Sequence, residues 1–164
     1  MQDNLKERIF NVSRITGTFT LRSGTVSNEY FDKYLFEAEP AILNDVCCAM
    51  LPLIPKDTEV LAGLEMGGIP IATILSAKSG LPCAFVRKQA KEYGTRKIAE
   101  GADISGKKVC IIEDVVTTGG AIINAVSELR EHGASVDTVL CCILRDIRAK
   151  DILRAEQLTL LPLF

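Results

Sequence analysis

The sequence predicts an α/β fold: a doubly wound, mainly parallel sheet flanked by helices. Three observations carry that expectation. From residue 59 onward, short apolar runs alternate with amphipathic segments, the pattern of repeated β–α units. The apolar run 109–112 (Val-Cys-Ile-Ile) leads through the adjacent acids Glu113 and Asp114 into Thr117-Thr118-Gly119-Gly120 and then a helical pattern. At 164 residues the chain is the size of one domain with a good core, so residues 1–164 are read as a single domain.

The elements follow in order. Residues 4–15 place Asn4, Leu5, Ile9, Phe10, Val12 and Ile15 at roughly helical spacing, with Asp3 or Asn4 as cap and Gly17 as breaker. Residues 18–21 read as a short strand, Arg22-Ser23-Gly24 as a turn and 28–31 as a partner strand. Glu37, Glu39 and Pro40 mark a helix start, since Pro and acids both favour that end. Ile42, Leu43, Val46, Ala49 and Met50 supply its buried stripe, and Pro52 and Pro55 end it. Then come a strand at 59–63, a Gly loop at 65–68, a helix over 69–78 with Pro70 in its first turn, and a strand at 83–86. A strand at 107–115 precedes a helix over 120–131, which buries Ile122, Ala125, Val126 and Leu129 and stops at Gly133. Residues 136–144 form another strand, 147–155 a short helix and 158–164 a last strand or tail. One segment breaks the alternation: 87–97 carries five cations and little apolar content. A loop of about 15–20 residues in a compact domain is usually functional or disordered.

Composition excludes several classes. Apolar residues make up 48% and charged residues 24%, with a net charge of −2, so nothing global points to nucleic acid or an anionic membrane. No apolar run approaches the ~20 residues of a membrane span. Residues 1–14 are polar and mixed in charge, unlike a signal peptide, which favours the cytoplasm. The six cysteines lie in apolar contexts with no C-x-x-C spacing, and His132 is the single histidine. Free thiols used as small core residues fit better than zinc, and imply a reducing compartment. His132, at a helix end, is assigned no catalytic role.

The chemistry gathers at loop positions. Thr117 to Gly120 and Glu65 to Gly68 each follow a strand and enter a helix, so each offers backbone N–H groups to a phosphate. Glu113 and Asp114 cannot hold that phosphate; they suit neutral hydroxyls, a metal or developing positive charge. A phosphate at one end and a polyol beside it suggest a sugar phosphate. The cationic run suits a highly charged anion. The plainer readings are a helix-capping acid pair for Glu113 and Asp114, a tight turn for Gly67-Gly68 and a solvated loop for 87–97.

Taken together, these features resemble the type I phosphoribosyltransferases, and among them the orotate phosphoribosyltransferases. The residues that carry the likeness are 19–24 (Phe-Thr-Leu-Arg-Ser-Gly) with Ser27 and Tyr30, 67–72 (Gly-Gly-Ile-Pro-Ile-Ala), 86–94 (Val-Arg-Lys-Gln-Ala-Lys-Glu-Tyr-Gly), 109–121 and Arg145. The acid-acid-x-x-Thr-Thr-Gly-Gly segment after a buried strand is the specific signature. The resemblance implies a small N-terminal hood, built from 1–37 with part of the C-terminus. It implies conversion of orotate and phosphoribosyl pyrophosphate to orotidine monophosphate and pyrophosphate, with Mg2+ and in a homodimer with a shared active site. Thr117, Thr118, Gly119 and Gly120 would hold the 5′-phosphate, with Val115, Val116 and Ala121 beside them in the substrate site. Asp114 and Glu113 would face the ribose, with Asp114 touching the metal only through water. Gly67 and Gly68 would line the pyrophosphate loop. Arg87, Lys88 and the catalytic Lys91, usually from the neighbouring subunit, would neutralise the pyrophosphate. Tyr93 would contribute a hydrogen bond where many members have His, and Arg22 and Arg145 would approach the orotate. Gly67 stands where some members have Lys, and Leu144 where members often have Asp. Another nucleobase, or a non-catalytic regulator that senses phosphoribosyl pyrophosphate, are the alternatives; the regulator should carry a basic face or an added DNA-binding segment, against which the net charge of −2 and the short N-terminal extension argue.

Overall fold

The computed structural model describes residues 2–21, 23–88 and 98–164. It divides into two compact units, Met1–Val46 and Cys47–Phe164.

In the first unit, helix α1 (Gln2–Ser13) buries Leu5, Ile9 and Ser13, which are four apart and so share one face. Strand β1 (Arg14–Thr20) runs antiparallel to β2 (Val26–Phe31), and the register shifts between Thr16 and Phe19, a bulge around Gly17. The Phe19 and Tyr30 rings lie 5.5 Å apart. The hairpin closes where Gly24 N–H donates to the Leu21 carbonyl at 2.8 Å, with Gly24 at φ +84°. A short helix that the sequence does not predict, α2 (Lys33–Glu37), follows. Asp32 caps it by accepting from the Tyr34 N–H at 3.0 Å. Glu37 therefore ends this helix, buried, and does not open the next one as expected. Helix α3 (Pro40–Met50) then leads the chain into the second unit.

The second unit is a six-stranded sheet in the order β5-β4-β3-β6-β7-β8. Its strands are β3 (Val60–Leu64), β4 (Cys83–Val86), β5 (Ala99–Gly101), β6 (Lys108–Val116), β7 (Ser135–Leu144) and β8 (Thr159–Pro162). All pairings are parallel except β4 with β5. Helix α4 (Gly68–Ser79) joins β3 to β4, α5 (Gly120–Glu131) joins β6 to β7, and α6 (Arg148–Ala155) joins β7 to β8. The alternation expected from residue 59 is thus present. Beyond β8, Leu163 and Phe164 donate to the Cys141 and Cys142 carbonyls at 2.9 and 3.0 Å, so the last residues stay on β7. Strand β5 is an addition. Its three residues are too few to show a period, and it places an antiparallel edge where the sequence predicts continuous loop.

Strand β6 lies at the centre, with Val109, Cys110, Ile111 and Ile112 all at most 1% exposed. Each isoleucine so buried contributes about 1.5–3 kcal/mol. Connections from β3 step towards β4, whereas those from β6 step the opposite way, towards β7. Right-handed crossovers then put α4 on one face and α5 and α6 on the other. The order reverses between β3 and β6, and open α/β sheets bind ligands at that reversal, outside the carboxyl ends of the strands. None of the described helices is long and apolar enough to cross a membrane.

The cysteines are free, but not all are core residues as expected: Cys48 is exposed and Cys83 half-buried. Helix α3 turns Val46, Cys47 and Met50 inward, which leaves Cys48 on its outer side. Burial pushes the Cys47 and Cys110 thiols up to about 12, so neither is a nucleophile near neutral pH.

Candidate active site

The reversal point is built from two helix starts and one buried carboxylate. After β3 the chain turns through Glu65, Met66 and Gly67, with a cis peptide between Glu65 and Met66. Helix α4 then begins with Gly67 as its N-cap and no side chain capping it. After β6 the chain passes the exposed Thr117 and Thr118 to Gly119, the N-cap of α5, again with no capping side chain. No side chain claims the first N–H groups of either helix, although at α4 the Ile69 N–H donates to the Met66 carbonyl at 3.2 Å and Pro70 has none; both positive helix ends stand at neighbouring strand ends.

Glycine is required at both starts, for different reasons. A Cβ on Gly68 would lie 2.2 Å from the Ile112 carbonyl oxygen, and one on Gly67 would lie 1.7 Å from Asp114 Oδ2. The start of α4 is thus pressed against β6. Gly119 instead adopts the left-handed conformation, φ +82°, and its Cβ would meet Leu153 of α6 at 3.1 Å. We expect Gly119→Ala to cost about 1–2 kcal/mol from backbone strain alone. A urea midpoint lowered at unchanged m-value would show it, and an unchanged midpoint would refute it.

Asp114 is completely buried, and its Oδ1 accepts the Val115 N–H at 2.6 Å. Strand alternation sends Glu113, half-buried, to the opposite face of β6. Glu113 is level with Cys141 of β7, and burial, with these two carboxylates adding, pushes that thiol up to about 12. Val116 is buried and level with Leu144, and its carbonyl accepts the Arg145 N–H at 2.8 Å. That bond places the exposed Arg145 at the same end of the sheet, one strand beyond the Thr-Gly loop. Gly120 and Ala121 occupy the exposed first turn of α5.

On the other side, Arg87 and Lys88 leave β4. The Arg87 N–H donates to the Ile98 carbonyl at 2.9 Å, and Arg87 Nε lies 3.8 Å from Glu100 Oε1. The Lys88 N–H donates to Glu65 Oε1. The sequence reading treats Glu65 only as part of the Gly loop; nothing in the local pattern foretells a partner 23 residues away. Arg22, Lys91 and Tyr93 lie outside the described residues. His132 is exposed, its Nδ1 2.8 Å from the Glu128 carbonyl of its own helix.

Residues 52–155 match the model of the phosphoribosyl transferase domain. The chain belongs to that family, and its mostly parallel six-stranded sheet with flanking helices is the type I phosphoribosyltransferase fold. An orotate phosphoribosyltransferase from a Nocardioides species is 57% identical over 82% of this chain and 75% of its own length. The orotate phosphoribosyltransferase of Mycobacterium tuberculosis, solved with Fe(III) dicitrate, superposes with a TM-score of 0.86 at 27% identity, over 99% of this chain and 94% of that one. The same M. tuberculosis enzyme, solved with 5-phospho-α-D-ribosyl 1-diphosphate, matches with a TM-score of 0.83 at 25% identity, over 99% and 94%.

Proposed function

We propose that this protein transfers the phosphoribosyl group of phosphoribosyl pyrophosphate to orotate, a step of pyrimidine biosynthesis, releasing orotidine monophosphate and pyrophosphate. The observation that carries this reading is the pair of uncapped helix starts at the β3/β6 reversal with the buried Asp114 between them. That arrangement suits a ligand with anionic groups at both ends and hydroxyls in the middle. In this reading the 5′-phosphate lies on the amides of 117–121, reached past Val115 and Val116. The ribose lies across the end of β6, with Asp114 on one side and Glu113 on the other. The pyrophosphate lies on the Gly67-Gly68 turn, and Arg87, Lys88 and Lys91 would neutralise it. Tyr93 adds a hydrogen bond there, and Arg145 and Arg22 approach the base.

The chemistry is a substitution at the anomeric carbon. A C–N bond forms from the orotate nitrogen as the C–O bond to pyrophosphate breaks, and the electron pair leaves with the pyrophosphate. Positive charge develops on the ribose, where the two carboxylates stabilise it; negative charge develops on the leaving group, where cations and helix dipoles do so. Among the described residues no group of three or more His, Cys, Asp or Glu side chains gathers as a metal cage. The donors present fit a hard ion such as Mg2+ held mainly by phosphate oxygens and water, with Asp114 reaching it through water. When bound, that ion neutralises the pyrophosphate.

The test offers the purified protein Mg2+, phosphoribosyl pyrophosphate and, in turn, orotate, uracil, hypoxanthine and adenine. Orotate alone should be consumed. Turnover of another base in its place would overturn the assignment, and binding of the sugar pyrophosphate with no turnover would favour a regulator. We also read the protein as a cytoplasmic homodimer that exchanges its cationic segment, with residues 1–37 and part of the C-terminus as the hood. Asp114→Asn and Lys91→Ala should then each be strongly impaired alone and regain activity when co-refolded as a mixture. An inactive mixture of folded proteins would refute the shared site.

A further inference from the structure

We propose that Glu65 is a positioning residue: its carboxylate fixes the point at which the cationic run leaves β4 relative to the pyrophosphate loop. The inference rests on the function proposed above and concerns a residue to which that reading gives no part.

Two bonds converge on Glu65. Its backbone N–H donates to the Val86 carbonyl at 2.9 Å, and its Oε1 accepts the Lys88 N–H. One residue thus ties the turn after β3 to the end of β4 from both sides of Arg87. Arg87 is held on its other flank by the Ile98 carbonyl and by Glu100. The backbone of both cations is therefore set, and for Lys88 the holder is a side chain of the very loop proposed to receive pyrophosphate. A carboxylate in that loop is otherwise a liability, because it repels a polyanion. Engaged as the acceptor of a charge-assisted bond from a backbone amide, it serves instead to aim two cations. If it were there for its charge alone, a neutral amide would not replace it; if it were there as an acceptor, glutamine would.

The experiment measures the affinity for phosphoribosyl pyrophosphate with Mg2+ by calorimetry, and orotate turnover, for the parent, Glu65→Gln and Glu65→Ala. Glutamine keeps a carbonyl acceptor at the same reach and should stay within about threefold of the parent in both. Alanine should weaken donor binding on the order of tenfold. It should raise KM for the donor by a similar factor, with KM for orotate and the thermal midpoint nearly unchanged. Because every subunit carries the change, the result reads alike whether the cations serve their own site or a neighbour's. Equal weakening by both variants would assign the effect to charge and overturn the proposal. So would tighter binding by both, which would mean that Glu65 merely repels the donor, or alanine behaving as the parent. A parent that binds no phosphoribosyl pyrophosphate would instead refute the functional reading itself, and this inference with it.

Discussion

Asp114→Asn is expected to lower turnover by about 100- to 1000-fold, on the order of 3–4 kcal/mol, the usual cost of deleting one preorganised electrostatic partner of a transition state. The side chain is fully buried, and one carboxylate oxygen accepts the Val115 N–H at 2.6 Å. Asparagine has the same shape and can keep that bond, so the carboxylate stays in outline and loses only its charge. Charge is what the proposed reaction uses, because the ribose becomes cationic only as the bond to pyrophosphate stretches. The loss should therefore fall mainly on kcat, with a smaller rise in KM for the donor. Stability should move the other way or hardly at all. An ionised carboxylate shut away from water costs desolvation energy that a neutral amide avoids. A variant with turnover near that of the parent would remove Asp114 from the mechanism; one that lost turnover only through unfolding would make it a structural residue.

What the sequence disclosed, and what it withheld, divides along one physical line. Patterns that repeat within a single element were legible. The run 109–112 and the spacing of Ile122, Val126 and Leu129 announce β6 and α5 because burial on one strand or helix face imposes a period on neighbouring residues. Likewise a Gly loop between a strand and a helix announces an anion site, since its donors come from the backbone. Features made by distant residues were not legible. Strand β5 exists because Ala99, Glu100 and Gly101 find Val86, Phe85 and Ala84 opposite them, and three residues carry no period of their own. Helix α2 depends on a single Asp32 cap over five residues, too short for a stripe. The bond from Lys88 to Glu65 joins two loops across adjacent strands. Glu113 and Asp114 looked like one acidic unit, yet the pleat of β6 sends them to opposite faces and leaves only Asp114 fully buried.

Gly67 is the sharpest instance of a contact that local pattern misses, and it carries the second large expectation. Gly67→Ala should lower turnover by about 100-fold or more and stability by about 1–3 kcal/mol. A Cβ at this position would stand 1.7 Å from Asp114 Oδ2 and 2.3 Å from its Cγ. The loop cannot yield by sinking towards β6, since Gly68 already rests against the Ile112 carbonyl. Either Asp114 turns away from its buried position or the start of α4 lifts off the sheet, and both disturb the proposed ribose and pyrophosphate sites together. Gly67→Lys, which would install the cation that some members of the family carry there, should do no better, because the clash begins at Cβ before any charge is reached. The cause can be isolated by a double-mutant cycle with Asp114→Ala. Removing the Asp114 side chain should relieve most of the stability cost of Gly67→Ala, a coupling of about 1–3 kcal/mol by urea denaturation. Additive costs would mean that alanine at 67 fails for a backbone reason, and a lysine variant as active as the parent would mean that Asp114 yields without loss.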